Sequence, residues 1–410
     1  MCIEQFGRSR AVYILMRLLL IVDSYPPDMH NAAGRMIKEL GDALVDQGHE
    51  VLIATPSPSI AGQFEVVSDG KLSVLRVRSL RAKGEGHFAR GLAELGFPVA
   101  LRNSLSQIDW MRGSLDGIIW YSPSIFFGPL VAWLKWRYRA ETYLILRDIF
   151  PDWAIETGAI KPGIIAKTLK LIAKLQYAVA DTIGIQAPED AAYLRQYPAD
   201  KIKVLPNWVS APSEAANLPD WMQEPWFAEY EIIVMGGALG PAQSPENILC
   251  LAERLQSRKK CVLLCVGDGD RSAFSAESRK RGLDNIVVKP GLEGPTFDYL
   301  LTKARLGLIS LHSDLRTQNV PGRLLSYLNA GLPTVASINL NSHLFELFSE
   351  TKCGLAVEAG DDDGFYQAVI QVLDHPEERK ILATNAKQLA QSFRPDVAVR
   401  SIIGQFAPNG

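Results

Sequence analysis

Short apolar runs of strand length alternate along this chain with segments of helical periodicity, and this alternation limits the fold more than any other feature. Residues 17–23 form the first apolar run, residues 32–47 have helical periodicity, and residues 51–54 form a second apolar run. A strand, a helix and a strand in this order predict a parallel sheet. Further strands in the same half are predicted at 117–121, 142–146, 182–186 and 202–205.

A second series of the same kind begins at residues 231–236. It continues at 262–266, 286–288, 306–309, 334–336 and 355–357, with helix-like segments between the runs. A chain of 410 residues is too long for one ordinary hydrophobic core. The sequence therefore predicts an α/β protein with two Rossmann-like domains.

The stretch between the two series, residues 207–230, has a different composition. It contains several prolines and tryptophans and has no sustained period, which is typical of an interdomain linker. Met16 begins a segment that is typical of the first strand of an α/β enzyme, so we interpret the preceding residues as an upstream extension. The predicted parts are an extension at 1–15, an N-terminal domain at 16–208 completed by a C-terminal helix at 390–410, a linker at 209–229 and a C-terminal domain at 230–389.

Composition excludes several classes of function. The formal net charge of −2 gives no general attraction to nucleic acid, so any anion site must be local. The five cysteines and six histidines show no metal-ligand spacing, so we expect no metal and no cofactor, and a reducing compartment. Residues 11–22 are apolar, but they are too few to span a membrane, Arg17 interrupts them, and no cleavage site follows. We expect a cytoplasmic protein.

The run from Val320 to Ser337 indicates an anion site. It predicts a loop, a short helix with Pro321 at its first position and Gly331 just past its end, and then a buried strand. Arg323 would lie in the first turn of that helix, where a cation is usually disfavoured unless an anion such as phosphate binds the same helix end. A solvated surface arginine is the alternative.

Two glycine turns follow predicted strands of the second half. In the first, Gly237 and Gly240 precede Gln243, and such glycines let backbone N–H groups approach a phosphate. The second turn contains Gly267 and Gly269. A tight structural turn explains either set of glycines without a ligand.

Polar residues follow two strands of the first half. Gly34 and Arg35 lie in or just after the loop that follows the first strand, and Arg147, Asp148 and Asp152 follow the strand at 142–146. Side chains at carboxyl ends of parallel strands are a natural substrate-binding set. The alternatives are an exposed helical Arg35, and a structural Arg–Asp pair with Asp152 capping the next helix.

A basic amphipathic helix is predicted between Pro162 and Ala180, with Lys167, Lys170 and Lys174 on one face. Such a stripe can contact anionic lipid or a phosphate-bearing acceptor. An ordinary solvated face is the alternative. The aromatic and cationic segment from Trp133 to Arg139 is open to the same two interpretations, interfacial contact or a helix packed on the sheet.

Taken together, these motifs resemble the GT-B glycosyltransferases of family 4 (group 1), from Met16 onward. They are most similar to bacterial polysaccharide-assembly enzymes of the fucosamine-transferase and colanic-acid types. The motifs that carry the resemblance are Tyr25-Pro26-Pro27, Arg35, Gly48-His49-Glu50-Val51, Asp148-Ile149-Phe150-Pro151-Asp152, Gly240-Pro241-Ala242-Gln243, Val320-Pro321-Gly322-Arg323 and Ala330-Gly331-Leu332-Pro333-Thr334.

The resemblance implies a GT-B architecture, in which two Rossmann-like domains face each other across a cleft. It implies a metal-independent, retaining transfer from a UDP-sugar, for which an N-acetylated amino sugar is one candidate. The acceptor would be a lipid-diphosphate-linked or glycan acceptor of O-antigen, capsule or exopolysaccharide synthesis. Peripheral contact with the cytoplasmic face of the inner membrane stays open.

The resemblance to group 1 glycosyltransferases also implies which residues form the site. Asp148 and Arg323 would be catalytic, with Arg323 stabilising the departing diphosphate and Asp148 orienting a sugar. Donor contacts are expected at Gly237, Gly240, Gln243, Gly267, Gln318, Gly322, Arg323, Leu324 and Ser326, and acceptor contacts at Gly34, Arg35, Arg147 and Asp152.

Two positions depart from the family pattern. Many members have glutamates where this chain has Gln318 and Ser326. The missing glutamates make a non-catalytic nucleotide-sugar-binding subunit an alternative function. A UDP-sugar 2-epimerase is a further alternative because it shares the two-domain fold.

Overall fold

The computed structural model describes residues 15–28, 32–79, 87–122, 124–147, 149–156, 160–212, 215, 217–314 and 320–406. The chain divides into two compact units. The first unit comprises Met1–Leu205 and Ala398–Gly410, and the second comprises Pro206–Val397.

The first unit is built on a sheet of eight strands among the described residues, in the order β3-β4-β2-β1-β5-β6-β7-β8. All neighbouring strands are parallel except β3 and β4, which form an antiparallel hairpin. The strands are β1 (Arg17–Ile21), β2 (Glu50–Ser57), β3 (Phe64–Asp69), β4 (Leu72–Arg78), β5 (Gly117–Tyr121), β6 (Glu141–Ile145), β7 (Thr182–Ile185) and β8 (Ile202–Val204).

Helices connect these strands. They are α1 (Ala32–Asp46), α2 (His87–Leu105), α3 (Gly128–Tyr138), α4 (Asp152–Glu156) and α5 (Ile164–Val179). The central strands are continuous apolar runs that lie almost fully buried, as strands of a parallel sheet covered on both faces must be.

The β3–β4 hairpin is a feature that the sequence analysis missed. β3 is the edge strand and is only partly buried, while β4 lies between β3 and β2 and has an apolar run broken by Ser73 and Arg76. They join through a turn in which Gly70 has a φ of +61°, a conformation that glycine adopts readily.

The second unit is built on a parallel sheet in the order β11-β10-β9-β12-β13-β14. Its strands are β9 (Glu231–Gly236), β10 (Cys261–Val266), β11 (Ile286–Lys289), β12 (Leu306–Ser310), β13 (Thr334–Ile338) and β14 (Gly354–Glu358). Its helices are α6 (Pro225–Glu229), α7 (Pro245–Leu255), α8 (Arg271–Lys280), α9 (Gly294–Lys303), α10 (Gly322–Ala330), α11 (His343–Thr351), α12 (Asp362–Asp374) and α13 (Pro376–Ala390).

The segment 209–229, expected as a linker, is instead part of the second unit. Val209, Met222 and Phe227 are buried in its hydrophobic core. The segment lacks a helical period because its ordered pieces are a turn at Asp220–Met222 and the five-residue helix α6, which are too short to show one.

The last described helix, α14 (Pro395–Phe406), contains the point at which the chain returns to the first unit. There Phe406 packs edge to face against Tyr143, with 6.3 Å between the ring centroids. The return falls at Ala398 rather than at the expected residue 390. No helix in the described part of the chain combines the length and apolar character needed to cross a membrane.

Candidate functional site

Two glycine turns meet at the carboxyl ends of β9 and β10. Gly237, which follows β9, has a φ of +96° and donates its N–H to Val266 O at 2.8 Å. A methyl group added at Gly267 would collide with the carbonyl oxygen of Gly237. The close approach of the two backbones therefore explains glycine at Gly267, while the turn conformation explains it at Gly237.

The loop after Gly237 is fixed to two further strand ends. A short helical turn, Pro241–Gln243, brings the N–H of Gln243 to 2.9 Å from Gly240 O. The N–H of His312, just beyond β12, donates to Ala242 O at 3.0 Å. The predicted residues Gly237, Gly240, Gln243 and Gly267 thus lie at one edge of the second sheet.

Helix α10 begins close to this edge. Pro321 is its N-terminal cap in an extended conformation, rather than its first helical residue as expected, and Arg323 lies in the first turn as predicted. Gly331 ends the helix at a φ of +66°, which confirms the predicted C-cap. A methyl group at Gly322 would meet no atom of the described residues within 4 Å.

Arg323 lies over the first glycine turn. A methyl group at Gly237 would lie 3.3 Å from both Cζ and Nη2 of Arg323, so the guanidinium occupies the space directly above that glycine. Its Nη1 atom is buried and has no hydrogen-bond partner among the described residues. Burial lowers the pKa of Arg323, because desolvation disfavours the charged form. An anion at this position would compensate that buried charge.

Tyr327 fixes the start of α10 against the sheet, and the sequence analysis did not single it out. Its hydroxyl accepts a hydrogen bond from Gly236 N at 2.7 Å and donates to Val234 O at 3.3 Å. Burial raises its pKa to about 12, so the hydroxyl stays protonated and keeps its donor. Tyr327 follows Arg323 by one helical turn, and that spacing is the sequence signal that points to it.

Two predicted donor contacts on α10 are buried. Leu324 is fully buried in the core, and its N–H donates to Pro321 O at 2.9 Å. Ser326 is 6% exposed. The structure thus gives Leu324 a packing role, because its side chain turns to the core and its N–H is already bonded. Gln318 lies outside the described residues.

Arg147, at the carboxyl end of β6, is a structural cation. Nη1 donates to Leu146 O at 2.9 Å and to Gly184 O at 3.3 Å, and Nη2 donates to Leu205 O at 2.7 Å. Its charge also lowers the pKa of Asp190, which burial raises more strongly. The guanidinium joins the ends of β6, β7 and β8. These donors face backbone carbonyls, and an acceptor contact by Arg147 stays a prediction.

The other predicted residues of the first unit lie on separate elements. Asp152 begins α4 and forms an ion pair with Lys170 Nζ at 2.7 Å. Arg35 is exposed on α1 and pairs with Glu39 at 3.8 Å, while Gly34 is buried on the same helix. Asp148 lies outside the described residues. An acceptor site in this unit stays a prediction.

Family models match almost the whole of both units. The model for glycosyl transferases group 1 matches residues 221–389, and the model for the glycosyl transferase 4-like domain matches residues 31–208. The chain belongs to the group 1 glycosyltransferases. Its two α/β units, each built on a largely parallel sheet, have the GT-B fold that the motifs predicted.

Known proteins agree with this assignment. This glycosyltransferase is 22% identical over 370 residues to Escherichia coli (strain K12) WcaI, described as a colanic acid biosynthesis glycosyl transferase, covering 83% of this chain and 88% of that protein. Sucrose-phosphate synthase from Thermosynechococcus elongatus has a TM-score of 0.71 at 14% identity, covering 95% of this chain and 98% of that one. The structure of Anabaena HepE in complex with UDP and glucose has a TM-score of 0.65 at 14% identity. The match covers 95% of this chain and 98% of the HepE chain.

Proposed function

We propose that this group 1 glycosyltransferase transfers a sugar from a UDP-sugar to a lipid-diphosphate-linked or glycan acceptor in the assembly of a bacterial surface polysaccharide. Retention of the anomeric configuration, independence from metal ions and an N-acetylated amino sugar donor are parts of the same proposal. The name of WcaI supports the polysaccharide pathway, and the HepE complex with UDP and glucose supports the donor class.

One observation carries the donor site. Arg323 places a guanidinium over Gly237 at the start of α10, and its buried Nη1 lacks a hydrogen-bond partner among the described residues. When the bond between sugar and diphosphate breaks, negative charge develops on the leaving phosphate. A fixed cation at a helix N-terminus stabilises that charge more in the transition state than in the bound donor, which is how it would accelerate transfer.

The remaining predicted residues have subordinate roles in this proposal. The turn from Gly237 to Gly240 would offer backbone N–H groups to the diphosphate, and Gln243, Gly267, Gln318, Gly322 and Ser326 would surround the donor. In the first unit, Asp148 would orient a sugar, while Gly34, Arg35 and Asp152 would border the acceptor. We further propose that the enzyme works at the cytoplasmic face of the inner membrane, where a lipid-linked acceptor resides.

A transfer assay tests this proposal against the alternatives. The purified protein is incubated with radiolabelled UDP-sugars, with and without a lipid-diphosphate acceptor, and the products are separated and counted. Product that requires acceptor supports transfer. Conversion of the sugar without acceptor would identify a 2-epimerase instead, and UDP binding without turnover of any sugar would identify a non-catalytic binding subunit.

A further inference from the structure

Helix α5 of the first unit exposes a second apolar face. Ile164, Ile165, Leu171 and Leu175 are 84%, 72%, 59% and 53% exposed. The spacing of Ile164, Leu171 and Leu175 places them on one side of the helix. Isolated exposed aliphatic residues are ordinary, but a row of them along a single helix marks a contact surface.

The opposite side of α5 already supplies the contacts that hold the helix to its unit. Ala166, Ala173, Gln176 and Tyr177 are buried. Gly128 of α3 packs directly on Gln176, and a methyl group there would lie 3.0 Å from the Cα of Gln176. The exposed row is therefore not needed for folding. A helix that is apolar on both sides is normally buried or in contact with lipid.

The charges on the exposed side are basic. No Asp or Glu occurs between Ile164 and Val179. Lys167 and Lys174 are exposed beside the aliphatic row, and neither forms an ion pair with a described residue. Lys161 is exposed just before the helix. Lys170 differs from them because it pairs with Asp152.

The row continues into a shallow groove at the C-terminal end of α5. The groove is lined by Ala132, Trp136, Arg137 and Arg139 from α3 and its C-cap, and by Ala178 and Val179 from α5. Lys135 and Asp181, which form an ion pair, and Glu141 also line it, so its three cations outnumber its two carboxylates. Trp136 is 78% exposed, and Arg137 and Arg139 are exposed beside it. Tryptophan with arginine is typical of side chains that lie at the headgroup level of a bilayer.

We propose that this surface, defined by Ile164, Ile165, Leu171, Leu175, Trp136 and the exposed cations beside them, binds the anionic surface of a lipid bilayer. The apolar side chains enter the boundary between headgroups and acyl chains, and the cations pair with lipid phosphates. A bilayer fits better than a protein partner because exposed lysines are interspersed along the aliphatic row. Its biological use rests on the proposed function, which supplies the lipid-linked acceptor, but the surface itself rests on exposure and charge.

Vesicle binding of the full chain without nucleotide tests this inference. Co-sedimentation is measured with phosphatidylglycerol–phosphatidylethanolamine vesicles and with neutral phosphatidylcholine vesicles, at low and high salt. We expect binding to the anionic vesicles that salt weakens. Lys167→Gln with Lys174→Gln should lower the partition coefficient about 25-fold, at roughly fivefold for each lysine. Leu171→Gln with Leu175→Gln should lower it at least tenfold.

Matched substitutions in the second unit serve as controls. Lys280→Gln with Lys303→Gln, and Ile381→Gln, change exposed residues of the same types on α8, α9 and α13. They should leave vesicle binding within twofold of the parent. Absence of binding to anionic vesicles would overturn the inference. The inference would also be overturned if the control variants lost as much vesicle binding as the α5 variants. It would be overturned as well if the parent formed a dimer in solution that the α5 variants dissociate. UDP binding by the same variants tests the donor site separately.

Discussion

Two arginines at carboxyl strand ends, one in each unit, have opposite surroundings. Arg147 in the first unit is 4% exposed and donates to carbonyls at the ends of three neighbouring strands. Arg323 in the second unit lies over a glycine turn, and its buried Nη1 has no described acceptor. The same type of side chain thus bonds to the fold in one unit, whereas in the other we propose that it provides a cation for a ligand.

The largest expected effect is on catalysis, through Arg323. Arg323→Ala should lower kcat/KM by about 10²–10³-fold, or roughly 3–4 kcal/mol, because the leaving diphosphate loses its fixed cation. Its free energy of unfolding should change little, since no acceptor among the described residues loses its partner. Steady-state kinetics and chemical denaturation measure the two quantities, and Arg279→Ala on α8 is the exposed control.

A near-normal turnover in Arg323→Ala would show that the two arginines do not differ in the proposed way. Arg323→Lys sharpens the result. It keeps the charge but loses the planar set of donors, so its activity should fall between those of the parent and the alanine variant.

The next effect is on stability, through Arg147. Arg147→Met should lower the free energy of unfolding by about 3 kcal/mol, because it removes the guanidinium donor from the carbonyls of Leu146 and Leu205. The carbonyl of Gly184 keeps the N–H of Leu146 as its donor. Urea denaturation measures the loss. UDP affinity of the remaining folded protein should stay within twofold of the parent, since the site we propose lies in the other unit. A large loss of UDP affinity with unchanged stability would reverse the roles assigned to the two arginines.

A smaller effect is expected at Tyr327. Tyr327→Phe removes the acceptor for Gly236 N–H and should lower the free energy of unfolding by about 1–2 kcal/mol. Because the hydroxyl also positions the start of α10, kcat should fall several-fold more than the affinity for UDP. Tyr366→Phe on α12 is a matched control. Equal kinetics for Tyr327→Phe and the parent would mean that the hydroxyl stabilises the fold without positioning Arg323.

Much of the fold was accessible from the sequence because buried parallel strands are continuous apolar runs. The prediction at 117–121 coincides with β5, and those at 231–236 and 306–309 match β9 and β12 to within one residue. The β3–β4 hairpin was missed because polar residues interrupt the apolar runs of both strands, at Glu65 and Ser68 in β3 and at Ser73 and Arg76 in β4.

The site was only partly accessible. Arg323 and Gly331 could be placed from local rules, because a helix start and a helix C-cap depend on neighbouring residues. The partners of Arg147 could not be predicted, since Gly184 and Leu205 are distant in sequence and meet it only through the strand order of the sheet. Tyr327 was missed for the same reason.

The central claim is that Arg323 acts on the diphosphate of the donor. Isothermal titration of the parent and Arg323→Ala with UDP, and with uridine as the matched ligand that lacks phosphate, tests it most directly. We predict that Arg323→Ala weakens UDP binding at least tenfold, or by about 1.4 kcal/mol or more, and leaves uridine binding unchanged. Unchanged UDP affinity, or equal losses for UDP and uridine, would contradict it.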